Sequence, residues 1–170
     1  MGWFTNFEFN SLRDLFILEL QDLYDAELRL VDALPSVVEG ATSPDLKQAI
    51  ASHLDETRGH VDRLESIFRQ LNVEPQRVTC EAMKGILAEG KEILNARGDA
   101  GVRDAAIIAA AQRVEHYEMA GYGSVRTWAD QLGLSSCSKL LQATLDEEGQ
   151  ADKILTSIAE ESVNAQAAIS

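Results

Sequence analysis

A buried stripe that contains a charge constrains this chain more than any other feature. Phe16, Leu20, Leu23, Glu27, Leu30, Leu34 and Val37 step by four and three residues, the spacing of one face of an α-helix. Glu27 stands in the middle of it. Ninety-one residues later Ile107, Ala111, Val114, Glu118, Gly121, Val125 and Trp128 repeat the steps, with Glu118 in the register of Glu27 (118 − 27 = 91). Burying an ionised carboxylate costs several kcal/mol unless it is paired or coordinates a metal. Two matched carboxylates therefore call for something in the core that compensates both.

The offset extends beyond the glutamates. Ile17 maps to Ile108, Gln21 to Gln112, Leu54-Asp55-Glu56 to Leu145-Asp146-Glu147, Leu64 to Leu155, Ser66 to Ser157 and Ile67 to Ile158, making nine identities across residues 17 to 69 with Glu27 included. A duplicated helical hairpin would keep core and site positions together in this way. It would also place equivalent side chains on opposite sides of one central space.

Five helical segments are readable and no strand pattern of useful length. The first runs from Ser11, a side chain suited to capping, to Glu39-Gly40, with a kink expected at Pro35. The second follows Ser43-Pro44 and ends near Leu71; the third runs from Thr79 to Arg97-Gly98. The fourth spans Val102 to Leu132 and the fifth Ser136 to Val163. Four long helices with a shorter one between the second and fourth imply two antiparallel hairpins joined by a crossover. The expected fold is all-α, a ferritin-like four-helix bundle in a single domain, with residues 11–163 forming the bundle and both ends flexible. The last ten residues, 161–170, carry few packing signals and are expected to fray.

Composition narrows the function classes. Hydrophobic residues make up 45% and charged residues 25% of the chain, as in a soluble globular protein. A net charge of −13 argues against nucleic acid as a partner, because phosphates are held by clustered Lys and Arg. No apolar run is long enough to span a membrane, and Met1 to Phe9 lacks the basic start and apolar core of an export signal, so a cytoplasmic location is expected. Cys80 and Cys137 have no CxxC partner and read as buried apolar fillers rather than as a disulfide or zinc site.

Acids and imidazoles recur where apolar residues belong. His53, Glu56 and His60 share one stripe of the second helix; the histidines fall at the edge of its apolar arc and Glu56 on the shoulder. Glu115 and Glu118 stand one turn apart on the fourth helix and repel unless a cation or proton lies between them. His116 points away from them. On the fifth helix the seam Leu141, Leu145, Glu148, Asp152, Leu155, Ala159 again contains acids, and three consecutive acids at 146–148 cover so wide an arc that either Glu147 or Glu148 must turn inward. Tyr24, at the repeat position of Glu115, lies one turn from Glu27 and is placed to hydrogen-bond a ligand or simply to pack. Several carboxylates with one or two imidazoles suit iron or manganese, and a pair of ions would neutralise charges that could not otherwise be buried together. Zinc prefers more His or Cys.

The strings Leu23-Tyr24-Asp25-Ala26-Glu27, His53-Leu54-Asp55-Glu56-Thr57, Val114-Glu115-His116-Tyr117-Glu118 and Leu145-Asp146-Glu147-Glu148 resemble those of the YciE/YciF family of bacterial stress-associated, ferritin-like proteins. Cys80-Glu81-Ala82-Met83 and Tyr122-Gly123 extend the resemblance over nearly the whole chain. It implies a ferritin-like fold, a homodimer and a dinuclear metal site. Carried over by motif position, the ligands it implies are Glu27, His53, Glu56, Glu118 and Glu147, with Glu115 and Glu148 close by. One departure stands out: the Glu-x-x-His pair of the wider ferritin superfamily is absent. The histidine precedes the glutamate, as His53-x-x-Glu56, and Thr144 takes its place in the second half.

The leading expectation is a dinuclear protein with two iron ions, or manganese, acting in stress through redox chemistry with oxygen or peroxide or through metal sequestration. The main alternative is a metal-free dimeric interaction module whose buried acids are protonated or hydrogen-bonded to Gln21, Gln112 and Tyr24. Iron storage, which needs a closed shell of many subunits, is a third.

Overall fold

The computed structural model describes residues 9–169. Its helices are α1 (Leu12–Gly40), α2 (Pro44–Leu71), α3 (Glu81–Leu94), α4 (Ala100–Gln131) and α5 (Ser135–Ile158), followed by a π-helical turn, Ala159–Val163, and a short α6, Asn164–Ala167. No strand occurs among the described residues. The starts are set by side chains that take up unsatisfied backbone donors. Ser11 Oγ accepts from Asp14 N–H at 3.1 Å, Ser43 Oγ from Leu46 N–H at 3.4 Å, and Asp99 Oδ1 from Val102 N–H at 3.0 Å. Asn72 ends α2 in the left-handed region, at φ 55°. Helix α1 ends at Gly40, as expected, with Pro35 inside its last turns.

Two apolar clusters form the core, and the order in which each helix meets them gives the topology. Along α1, Phe16, Leu20 and Leu23 belong to one cluster, and Leu30 and Leu34 to the other. Along α2 the order is reversed, from Leu46 and Ile50 to Leu64 and Phe68; α4 runs as α2 does, from Ile107 to Val125, and α5 as α1, from Leu141 to Leu155. Adjacent packing pairs are α1 with α2, α2 with α5, α5 with α4 and α4 with α1, so the four long helices close a ring. Since α2 and α4 run the same way, the chain must return along the bundle between them. The 72–80 segment and α3 make that crossover.

Asp25 fastens the crossover. Its carboxylate is 2% exposed and accepts from Arg29 Nε at 2.5 Å, Arg77 Nε at 2.8 Å and the backbone N–H of Cys80 at 2.8 Å. Burial alone would raise its pKa, but these three donors outweigh it and hold the carboxyl below its ordinary value. Cys80 then caps α3, its Sγ accepting from Met83 N–H at 3.4 Å, so it is more than an apolar filler. Helix α3 begins and ends inside the expected bounds, because the cap falls on Cys80 and Asn95 closes the other end.

The C-terminal tail departs from expectation. Residues 161–167 remain helical, and Val163, 2% exposed, joins the cluster around Leu30 and Ile107. The apolar side chain of Val163 supplies the anchor that the acidic stretch before it disguises. Flexibility expected for residues 1–8 and 170 falls outside the described residues.

Candidate metal centre

Between the two apolar clusters every long helix places polar side chains. Glu27, His53, His60, Glu115, Glu118 and Glu148 are all buried, four of them with 0% exposure: Glu27, His60, Glu118 and Glu148. Their donor atoms fall into two overlapping groups, each within 4.8 Å: His53, Glu115, Glu118 and Glu148 in one, Glu27, His60 and Glu148 in the other. Glu148 is common to both. Its Oε1 lies 3.0 Å from His60 Nδ1, while Oε2 lies 3.7 Å from His53 Nε2. His53 Nε2 is also 3.5 Å from Glu115 Oε1, and His60 Nδ1 is 3.3 Å from Glu27 Oε1.

The outward nitrogen of each imidazole meets a different glutamate. Glu56 Oε2 lies 3.5 Å from His53 Nδ1, and Glu147 Oε2 lies 2.9 Å from His60 Nε2. Glu56 and Glu147 are the repeat partners recognised in the sequence, and the structure puts both behind a histidine rather than inside the cluster. Their side chains are 46% and 33% exposed. Arg63 pins Glu147 with Nη1 and Nη2 at 2.6 and 2.7 Å, a bidentate contact that turns the carboxylate away from the centre. Glu148 is thus the inward acid of the 146–148 run. A carboxylate on the far nitrogen of an imidazole fixes its tautomer and orientation, the usual support for a metal-binding histidine.

Electrostatics show how costly this arrangement is without a cation. Burial raises Glu118 and Glu115 well above the ordinary carboxylate value; the charges of Glu27, Glu148 and Glu115 add to the rise at Glu118, and that of Glu148 to the rise at Glu115. Glu27 is raised as well, chiefly by burial. Burial would push His60 down, but Glu148 and Glu27 outweigh it and hold the imidazole up to about 11. Burial likewise opposes the ionisation of Glu148, which the contact with His60 nevertheless keeps below its ordinary value. Nine buried polar atoms on these six residues have no hydrogen-bond partner. Five of them face an imidazole or carboxylate at 3.0 to 3.7 Å, whereas Glu27 Oε2, Glu115 Oε2 and both oxygens of Glu118 lack even that. Buried polar atoms left so are rare and strongly destabilising unless an ion takes them up. The residues fit a cation.

Two contributors escaped the sequence reading. Tyr122, 0% exposed, donates its hydroxyl proton to Glu27 Oε1 at 2.5 Å; it is one turn beyond Glu118, a spacing that could have revealed it. Arg63, one turn beyond His60, was the other. Of the side chains expected to hydrogen-bond the buried acids, Gln112 instead donates to Asp152 and Thr156, at 3.0 and 2.9 Å, and Tyr24 to Glu65 at 3.0 Å. His116 faces outward beside Asp152, at 3.2 Å.

Fold and site together define an all-α bundle with a buried carboxylate–imidazole cluster at its centre. The chain belongs to the family described as a domain of unknown function, DUF892, whose model matches residues 11–168. It is 41% identical over 158 residues to Protein YciF of Escherichia coli strain K12, covering 92% of this chain and 95% of that protein. The crystal structure of the E. coli stress protein YciF superposes with a TM-score of 0.88, covering 92% of this chain and 99% of that one. YcfI of Rhodopseudomonas palustris, 39% identical, gives 0.87 over 92% of this chain and 99% of its own. No described helix is long and apolar enough to cross a membrane.

Proposed function

We propose that this chain is a ferritin-like protein whose core would hold two metal ions, iron or manganese, in two ligand groups that share Glu148, and that it acts in stress through metal redox chemistry or sequestration. One observation carries the reading: a single buried carboxylate turns one oxygen toward each of two ligand groups, between which Glu27 Oε2, Glu115 Oε2 and both oxygens of Glu118 are buried without a hydrogen-bond partner. His53, Glu115 and Glu118 would hold one ion, and Glu27 and His60 the other. Four carboxylates against two imidazoles favour iron or manganese over zinc. When bound, such a pair supplies electrons for oxygen or peroxide chemistry. The chain's own part is to hold His60 by its outward nitrogen through Glu147, to place Glu56 behind His53, and to enclose the six side chains between two apolar clusters. Tyr122 orients Glu27.

The name of the E. coli relative as a stress protein supports the physiological setting. A cytoplasmic homodimer is part of the same proposal, tested by light scattering. Anaerobic calorimetry with Fe(II) tests the centre and should give about two equivalents per chain. Absence of binding, together with a Glu27→Ala/Glu118→Ala variant more stable than the parent, would overturn it in favour of a metal-free module.

A further inference from the structure

A cavity of about 840 Å³ opens beside the centre, and only one of the two ligand groups reaches it. His53 and Glu115 line its wall; Glu27, His60, Glu118 and Glu148 do not. From that end the lining residues step away along each helix, from Leu30 to Gly40 on α1, from His53 to Ala49 on α2, from Glu115 to Ile107 on α4 and from Ala151 to Leu155 on α5. The space is therefore elongated. Ten residues of α1 rise about 15 Å, the length of an extended chain of about ten carbons. Oxygen or peroxide needs no such volume, which lies within the range of sites that enclose an organic ligand.

The lining defines what fits. Leu, Ile, Val and Ala dominate it and no Phe, Tyr or Trp takes part; besides Glu115 its charged members are Glu39, Glu56, Lys84 and Lys91. Helix α3 forms one wall. Met83 is its one buried side chain, whereas Ile86, Leu87, Ile93 and Leu94 are half-buried and line the cavity. An occupant would complete the burial that the crossover helix leaves unfinished.

We propose that this cavity binds a flexible aliphatic molecule with an oxygen-donor head, of the class of a medium-chain carboxylate, its head at His53 and Glu115 and its chain directed toward Gly40 and Leu94. The proposal rests on the metal reading of the same site and names its substrate class. Acids at the inner end would repel a carboxylate head in the metal-free chain, and two divalent ions would reverse that sign. His53 and Glu115 stand both in one ligand group and in the cavity wall, so a donor entering from the cavity reaches the ion that group would hold.

The test uses the full chain loaded with Mn(II), its metal content measured on the same sample, and titrated calorimetrically with dodecanoate. Binding at least about tenfold tighter than to chelator-treated protein is expected, a difference that reports the head group at the metal. Ala111→Phe, which fills the cavity from α4, and Leu87→Glu, which charges its half-buried α3 wall, should each weaken binding about tenfold or more without changing metal content. Two variants on different walls guard against a folding defect in either. Loaded protein that ignores dodecanoate, equal affinity with and without metal, or both variants binding as the parent does would overturn the proposal while leaving the metal reading intact. A sample that takes up no manganese overturns the metal reading instead, and the head-group placement with it.

Discussion

His60 and Glu148 meet at 3.0 Å through Nδ1 and Oε1, and the other oxygen of Glu148 is turned toward His53. A residue that serves both ligand groups cannot be lost from one alone. Glu148→Gln is therefore expected to lower metal content from about two ions per chain to less than one, whereas Glu115→Gln, which belongs to one group, should retain about one. Elemental analysis of the purified variants decides; a Glu148→Gln protein that keeps two ions contradicts the bridge.

Glu147 and Arg63 act on the centre through His60. Removing the carboxylate that holds an imidazole's far nitrogen typically costs about 10–100-fold in metal affinity. Glu147→Gln and Arg63→Met should both fall in that range, and combining them should add little, since they sever the same chain of contacts. Competition titration against a chelator of known affinity measures it.

Acidity should separate the metal-free from the loaded protein. Glu115 and Glu118 have folded pKa values raised above the ordinary 4.5, so the stability they contribute is complete below 4.5 and is lost as pH rises through the raised values. His60 works in the same direction, from its ordinary 6.5 up to about 11. Asp25 is lowered from 3.8, and its contribution is lost only as pH falls below that value. The chelator-treated protein should thus melt at lower temperature as pH rises between about 5 and 8, and added Mn(II) should flatten the trend because metal binding favours the deprotonated carboxylates. A metal-free melting temperature that climbs over this range would refute the argument.

Asp25 lies outside the centre yet holds the crossover. Asp25→Ala leaves Arg29, Arg77 and the Cys80 N–H without their shared acceptor. The expected loss is about 2–4 kcal/mol, toward the lower end because both arginines are partly in solvent. Urea denaturation gives the value, and hydrogen exchange should show faster opening in α3 than in α4.

Close approach of α1 and α4 depends on Gly121. A Cβ there would lie 2.8 Å from Leu23 Cδ2, one turn from Glu118 on one helix and from Glu27 on the other. Gly121→Ala should cost about 1–3 kcal/mol as Leu23 is displaced. Thermal melts of the chelator-treated variant test the packing term separately from any change in metal affinity.

Helical periodicity and the 91-residue offset sufficed to read four long helices, their crossover and the inward pair Glu27 and Glu118 from the sequence, because burial repeats with the turn of the helix; His53 came only to the edge of its apolar arc, and Glu56, expected as a ligand, stands behind it instead. They left Glu147 and Glu148 undecided and gave His60 no firm place. Successive residues are only about 100° apart, so adjacent acids on a shoulder are separated by contacts from other helices and not by register. Arg63 draws Glu147 aside, His60 draws Glu148 inward, and Tyr122 reaches Glu27 from a neighbouring helix. The sequence by itself determined which faces are buried and that two carboxylates share a register. Tertiary structure alone decided which carboxylates meet, because that depends on pairwise contacts between helices distant along the chain.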